Sequence, residues 1–386
     1  MRILFSGVPA YGHLLPLASL MDAALTDGHD AALVTSAGMA EMIATELPAG
    51  VQHLPAGPMP LEFSEETAAR TGANVFQPTP ATIGDIFGGT RLERTAEAAL
   101  AAAREWRPDV VVADAFDTVG PLIAAAMDIG WHQVGLGPAL PEVIVDEITR
   151  AAAAGHAARG LAPVPARSYI DPCPSLLQEP GWRCPLPRLA LRPQAHRRPG
   201  RPATPLPPAP NGVPRVLVTL GTIFSEPHLL DAVTEAVTAH EVDVVVTEGL
   251  SIHDPDGAAR DAGSQQLGTS KAAVRRIPFT PLGDLLTSTD IVISAGGSGT
   301  VLSALAHGLP MILWPQGADQ EITAARATAA GVARTVRDAG DIAAALSELL
   351  ADSSYRDIAE KVAAGLADRL GPQQVLADVL TTTRLG

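Results

Sequence analysis

Apolar residues along the first third of the chain fall into short unbroken runs, separated by longer segments of mixed character. The runs are 2–6, Ala31-Ala32-Leu33-Val34-Thr35, Asp109-Val110-Val111-Val112-Ala113 and 132–135. Each has the length of a strand and lacks polar alternation, the pattern of strands covered on both faces. The segments 13–25, 95–104 and 118–127 have helical spacing. Strand, helix and strand in alternation predict β-α-β units and a parallel sheet.

The rhythm lapses near residue 162. Pro163, Pro165, Pro172, Pro174, Pro180, Pro185 and Pro187 are expected to break any regular element. The stretch Arg197-Arg198-Pro199-Gly200-Arg201-Pro202 continues the proline-rich segment, and its arginines read as a solvated linker. The alternation then restarts. Strands are expected at 215–220, 243–247, 290–293 and 311–314, and helices at 229–239 and 300–307, the second stopped by Gly308 and Pro310. The fold class is α/β, with two Rossmann-like domains facing across a cleft. The expected bounds are 1–195, a linker at 196–214, and 215–386, with a last helix able to pack back on the N-terminal domain. Domains of this kind bind ligands at the C-terminal ends of their strands, so the cleft is the default site.

Composition narrows the function. With 386 residues, 47% of them hydrophobic, the chain can bury two cores. A formal net charge of −15 argues against a nucleic-acid partner, whose phosphates need a basic surface. No apolar stretch is long enough to cross a bilayer, and the apolar start is short and lacks a small-residue cleavage site, so the protein is expected to be cytoplasmic. Cys173 and Cys184 read as plain thiols, and two cysteines without a His cluster supply no metal site.

Two turns suit phosphate. Ser294-Ala295-Gly296-Gly297-Ser298-Gly299-Thr300 follows a strand and opens a helix, where glycines let backbone N–H groups approach an anion. Gly221-Thr222 ends the first strand of the same half. Two such turns in one domain point to a diphosphate, and close helix–strand packing is the alternative reason for the glycines. A dinucleotide fingerprint is absent from the turn Gly7-Val8-Pro9-Ala10-Tyr11-Gly12-His13, and neither Lys271 nor Lys361 lies in a glycine-rich loop. His13 stands at a helix start, where the dipole disfavours the imidazolium, and a neutral imidazole facing a cleft can act as general base. Asp114, at the end of another strand, could hold the far ring nitrogen and fix the tautomer, with Asp117 as the nearby alternative.

Gly12-His13-Leu14-Leu15-Pro16-Leu17, Leu220-Gly221-Thr222, Gly296-Gly297-Ser298-Gly299-Thr300 and Pro315-Gln316-Gly317-Ala318-Asp319-Gln320 occur in this order. Together they resemble the natural-product glycosyltransferases of the GT-B fold, akin to bacterial macrolide and aromatic-polyketide enzymes and to plant UDP-glycosyltransferases. The resemblance implies an inverting transfer without metal or cofactor, from a dTDP- or UDP-sugar as co-substrate to a small hydrophobic aglycone. By it, His13 deprotonates the acceptor and Asp114 holds His13. Gly297, Ser298, Gly299 and Thr300 bind the diphosphate, helped by Gly221 and Thr222. Asp319 and Gln320 bond the sugar hydroxyls, and the loop with Phe279 and Pro281 contacts the nucleobase. Phe63, Phe76 and Phe87 are acceptor-binding candidates in the N-terminal domain. The partners implied are the two small molecules, with a homodimer left open.

One departure stands out. The resembled enzymes usually carry a His pair before the glycines, where this chain has Ser294 and Ala295. The second of that pair contacts the diphosphate, so Ala295 is expected to weaken donor binding about tenfold. This keeps open an alternative, a non-catalytic or auxiliary relative of the same fold. A sugar-nucleotide epimerase would need further acid/base groups that the sequence does not offer.

Overall fold

The computed structural model describes residues 1–202, 206–221, 227–249, 273–317 and 319–384. Two parallel sheets organise it. The first runs β3-β2-β1-β4-β5-β6-β7, from β1 (Arg2–Ser6), β2 (Asp30–Thr35), β3 (Gln52–Pro55), β4 (Val110–Asp114), β5 (Trp131–Val134), β6 (Tyr169–Asp171) and β7 (Arg188–Ala190). The second runs β10-β9-β8-β11-β12-β13, from β8 (Arg215–Thr219), β9 (Asp243–Thr247), β10 (Ala273–Ile277), β11 (Ile291–Ser294), β12 (Met311–Leu313) and β13 (Ala333–Thr335).

The unbroken apolar runs form strands because both faces of each sheet are covered. Along β4, Val110 and Val112 enter one apolar cluster while Val111 and Ala113 enter the other. In β11, Ile291 and Ile293 face one cluster and Val292 the opposite one. Full burial of each such side chain contributes about 1.5–3 kcal/mol, so these strands define the centre of each sheet.

Strand order reverses at the same place in both sheets. From β1 the chain moves outward to β2 and β3, then returns to lay β4 on the other side of β1. From β8 it moves to β9 and β10, then returns with β11. At such a switch point the connecting loops leave in opposite directions, opening a crevice at the carboxyl ends of the two central strands. The register pairs Ser6 with Ala113 and Thr219 with Ser294, so the residues just beyond these pairs line each crevice.

The proline-rich segment is more ordered than its sequence suggests. The prolines were expected to exclude regular elements, yet β6 and β7 form within it and extend the first sheet by parallel pairing. Both are three-residue strands near the sheet edge, where proline is tolerated because few ladder bonds are required. Nor are the linker arginines merely solvated. Buried Glu46 receives His196 Nε2 at 2.9 Å and Arg198 Nη2 at 2.7 Å. Burial opposes ionisation of Glu46, and the bonds from His196 and Arg198 outweigh it, holding its carboxyl below the ordinary value. The chain crosses back at a parallel bridge between Leu191 and Leu370. The final helix, Pro372–Arg384, then packs Val375, Leu376, Val379 and Leu380 against Leu17 and Met21 of the first unit. Among the described residues, no helix is long and apolar enough to cross a membrane.

Candidate active site

The turn after β1 carries His13. Gly7 continues the strand in a space too small for a side chain, since a methyl there would lie 2.7 Å from Leu14 Cδ2 and 3.2 Å from Asp114 Oδ2. His13 follows in the short helix Tyr11–Leu14, one fifth of its side chain exposed. Its Nδ1 lies 3.2 Å from Oδ1 of Asp114 at the end of β4, so the two groups come from adjacent central strands across the switch point. Asp114 is fully buried and its other bonds are to backbone, from Val8 N to Oδ2 at 2.8 Å and from Phe116 N to Oδ1 at 2.7 Å. Burial opposes ionisation of this carboxyl. The charge and bond of His13, the Val8 N–H and the charge of Arg91 outweigh burial and hold Asp114 below its ordinary value. Asp117 is not the partner of His13. It pairs with Arg91 Nη2 at 2.5 Å and caps the Gly120 N–H at 2.7 Å.

The second crevice is built from backbone. Gly296, at φ +86, turns the chain out of β11 in a conformation that suits glycine. The helix Ser298–Ala306 then begins behind Gly297, which has no side chain to cap its first N–H groups, and an uncapped helix start is the arrangement that receives an anion. Gly221, at φ +83, makes the matching turn after β8. Thr222 lies outside the described residues. Gly297 and Gly299 have open space where a Cβ would stand. Ser298 Oγ donates to Asp319 Oδ2 at 3.1 Å and lies 3.2 Å from Thr323 Oγ1. Asp319 lines the cavity, whereas Gln320 is buried and turns its Oε1 back to the Gln316 N–H at 2.8 Å. Gln320 thus braces the 315–320 loop.

Ala295 follows β11 and directly precedes the Gly296 turn. It is buried in the apolar cluster that holds Ile293 and Trp314. Its methyl group is 2% exposed and offers no polar atom to an anion. Ser294 Oγ meanwhile accepts from the Gly296 N–H at 3.2 Å, which supports the turn.

The two crevices meet. Gly137, in the loop after β5, lies so close to Ser298 that a methyl on it would be 2.2 Å from Ser298 Oγ. The shared cavity is lined by Phe116, Gly137 and Tyr169 from the first unit and by Ser298, Asp319 and Ile322 from the second. Phe279 stands edge-on to Tyr11, with ring centroids 5.8 Å apart, joining its loop to the helix of His13. Pro281 is buried and opens the short helix Leu282–Leu285 beside it.

The three aromatic candidates separate. Phe63 is 1% exposed and belongs to a small cluster with Val8 and Ile86, so it supports the wall from behind. Phe76 is 84% exposed in a surface loop and outside that cluster. Phe87 touches Phe116 at 5.2 Å, and Phe116 meets the His13 ring edge-on at 5.3 Å. Phe116 and Tyr11 are functional candidates that the sequence pattern did not single out. Phe116 stands two residues past Asp114, and proximity to a strand end was the one signal that could have found it.

Known proteins match this geometry. The pattern of the family described as "Erythromycin biosynthesis protein CIII-like, C-terminal domain" fits residues 258–381. The elloramycin glycosyltransferase of Streptomyces olivaceus is 29% identical over 94% of this chain and 93% of its own length. The crystal structure of the glycosyltransferase SnogD from Streptomyces nogalater superposes with a TM-score of 0.79 at 27% identity, covering 99% of each chain. That of SsfS6 from Streptomyces sp. SF2575, complexed with thymidine diphosphate, gives 0.78 at 26%, again with 99% of each chain. The chain is a nucleotide-sugar-dependent glycosyltransferase of the GT-B fold, similar to the bacterial glycosyltransferases of macrolide and aromatic-polyketide products.

Proposed function

We propose that the enzyme inverts the anomeric centre of a dTDP-sugar in one displacement, with His13 as general base and no metal ion. The observation that carries this reading is the bond between His13 and buried Asp114. Asp114 takes the Nδ1 proton as its hydrogen-bond partner, which leaves Nε2 as the proton acceptor. An acceptor hydroxyl brought against His13 gives its proton to Nε2 while its oxygen attacks the anomeric carbon. The bond from that carbon to the diphosphate breaks, and the imidazolium formed is stabilised by the ionised Asp114.

Negative charge then gathers on the departing diphosphate. The free N–H groups of Ser298, Gly299 and Thr300, together with the turn at Gly221, supply the positive end of a helix dipole to meet it. This stabilisation is what makes a divalent cation dispensable, and turnover undiminished by a chelator is the expected result. Asp319 is positioned to accept from a sugar hydroxyl, and Phe279 with Pro281 to flank the nucleobase. Thymidine diphosphate in SsfS6, which aligns along the whole chain, favours dTDP over UDP. The acceptor is a small hydrophobic aglycone resting on Phe116, the ring against His13, and on Phe87 next to it.

Similarity along the whole chain to proteins named as glycosyltransferases, together with the His13–Asp114 pair, favours the catalytic reading over a non-catalytic relative. The test is His13→Ala. Transfer should fall by about 10²–10⁴-fold, with dTDP affinity by calorimetry unchanged. Turnover equal to the wild type overturns the base assignment.

A further inference from the structure

Behind the His13–Asp114 pair lies a second, buried ion pair, between Arg91 and Asp117. Arg91 opens the helix Arg91–Trp106, directly after the π-helical turn Asp85–Thr90 that carries Phe87. Its side chain is 4% exposed, and that of its partner Asp117 is fully buried. A buried ion pair costs desolvation that its own attraction does not reliably return, so its presence beside a reacting centre calls for a reason.

The bonds supply one. Arg91 Nη2 donates to the carbonyl of Gly7 at 3.2 Å. The N–H of that same peptide unit, on Val8, donates to Asp114 Oδ2 at 2.8 Å. One peptide group therefore links the guanidinium to the carboxylate that holds His13. A cation on the carbonyl polarises the peptide and strengthens the bond from its N–H. Thr35 Oγ1 donates to the same carbonyl at 3.2 Å, fixing the peptide plane from the neighbouring strand. Arg91 Nη1, also buried, has no partner among the described residues, so Asp117 is the only counter-charge bonded to this guanidinium.

The charges facing the base are few. His13 comes from the first helix, Asp114 and Asp117 from the end of β4 and the turn after it, and Arg91 from the helix behind. Among the described residues, no other charged side chain is bonded to any of the four. With both carboxylates ionised and Arg91 protonated, the buried charge behind a neutral imidazole is one negative unit. Taking the acceptor's proton makes the set neutral.

We propose that Arg91 and Asp117 are positioning residues of the transfer reaction, Arg91 by holding the Gly7–Val8 peptide on Asp114 and Asp117 by keeping the buried charge behind His13 negative. The inference rests on His13 being the base, so His13→Ala is measured in parallel. Retained turnover there fails the base reading, whereas lost turnover there with the variants below unaffected fails this inference alone.

Asp117→Asn keeps the shape but removes one negative charge, and its single amide oxygen can accept from Gly120 N–H or from Arg91 but not from both. The remaining set is then neutral before proton transfer and positive after it, so the imidazolium is less favoured. The acid limb of the kcat/KM profile should move about one pH unit lower, with plateau kcat reduced several-fold and KM for both substrates within twofold. Arg91→Lys keeps the charge and should retain kcat within about threefold, while Arg91→Met should lose about tenfold or more. A folded Asp117→Asn enzyme whose acid limb superimposes on the wild type overturns the proposal. If that variant does not fold, the arginine pair decides, and equal losses of kcat in Arg91→Lys and Arg91→Met overturn it.

Discussion

The two units share one strand order around their crossing point, yet what they place there differs in kind. In the first stands a pair of side chains, His13 from the helix after β1 and Asp114 from the end of β4, 101 residues apart in sequence, with Asp114 locked by buried bonds to backbone. In the second, it is the backbone itself, the Gly296–Thr300 turn and the free N–H groups of a helix start, with Gly221 opposite. A general base must hold one tautomer and one direction, so it needs a rigid surround. A diphosphate has many equivalent oxygens and spreads its charge, so a cluster of N–H groups serves it. On the proposed mechanism, the crevice thus sets an acid–base pair on one side against a charge-receiving cradle on the other.

Breaking the first side should cost most. Beyond His13→Ala, the change Asp114→Asn removes the charge that stabilises the imidazolium and lets the amide donate to Nδ1, which favours the wrong tautomer. A loss of kcat on the order of a hundredfold is expected, with dTDP affinity unchanged by calorimetry. A loss confined to donor KM would mean that the aspartate serves the second side instead.

The rigidity of the first unit can be probed by acid. His132 in β5 is fully buried, with Nδ1 2.7 Å from Ser168 Oγ. Burial first, then the charge of Arg167, pushes it down to about 4 from the ordinary 6.5. The unfolded chain takes up this proton near the ordinary value and the folded chain only near the lower one. Folded stability should therefore fall as pH drops from about 6.5 to about 4, by up to about 3 kcal/mol from this group. His132→Leu should flatten the fall of melting temperature across that window, and an unchanged slope would exclude His132 as its source.

The smallest effect is expected on the second side. Ser298→Ala removes the hydroxyl bonded to Asp319 but leaves every backbone N–H in place. Donor KM should rise about tenfold or less, with kcat within a fewfold of the wild type. A collapse of kcat instead would show that side chains, not backbone, carry the donor site.

Legibility followed the same division. The donor turn could be read directly because its parts are consecutive, a strand, a glycine run and a helix start. The pairing of His13 with Asp114 was suggested by two strand ends, but the choice between Asp114 and Asp117 was not in the sequence. Both follow β4 within a few residues, and only the position of Arg91, arriving from a distant helix, assigns Asp117 elsewhere. The acceptor wall was read least well. Three phenylalanines were plausible, yet one is core, one is surface, and the ring beside His13 is Phe116. Aromatic residues are equally suited to packing and to binding, so their role is set by what lies beyond the ring. The short strands β6 and β7 were hidden by proline, since edge pairing depends on the neighbouring strand more than on propensity.

By itself, then, the sequence determined the two β-α-β units, the glycine turns with their forced backbone and the place of His13 after the first strand, because runs, breakers and turn residues act over a few neighbours. The tertiary structure alone decided which carboxylate holds His13, which ring faces it, that Ala295 is buried in an apolar cluster, and that Arg91 reaches the peptide behind Asp114. Those are contacts between segments far apart in the chain, and only the packing of sheet and helices sets their distances.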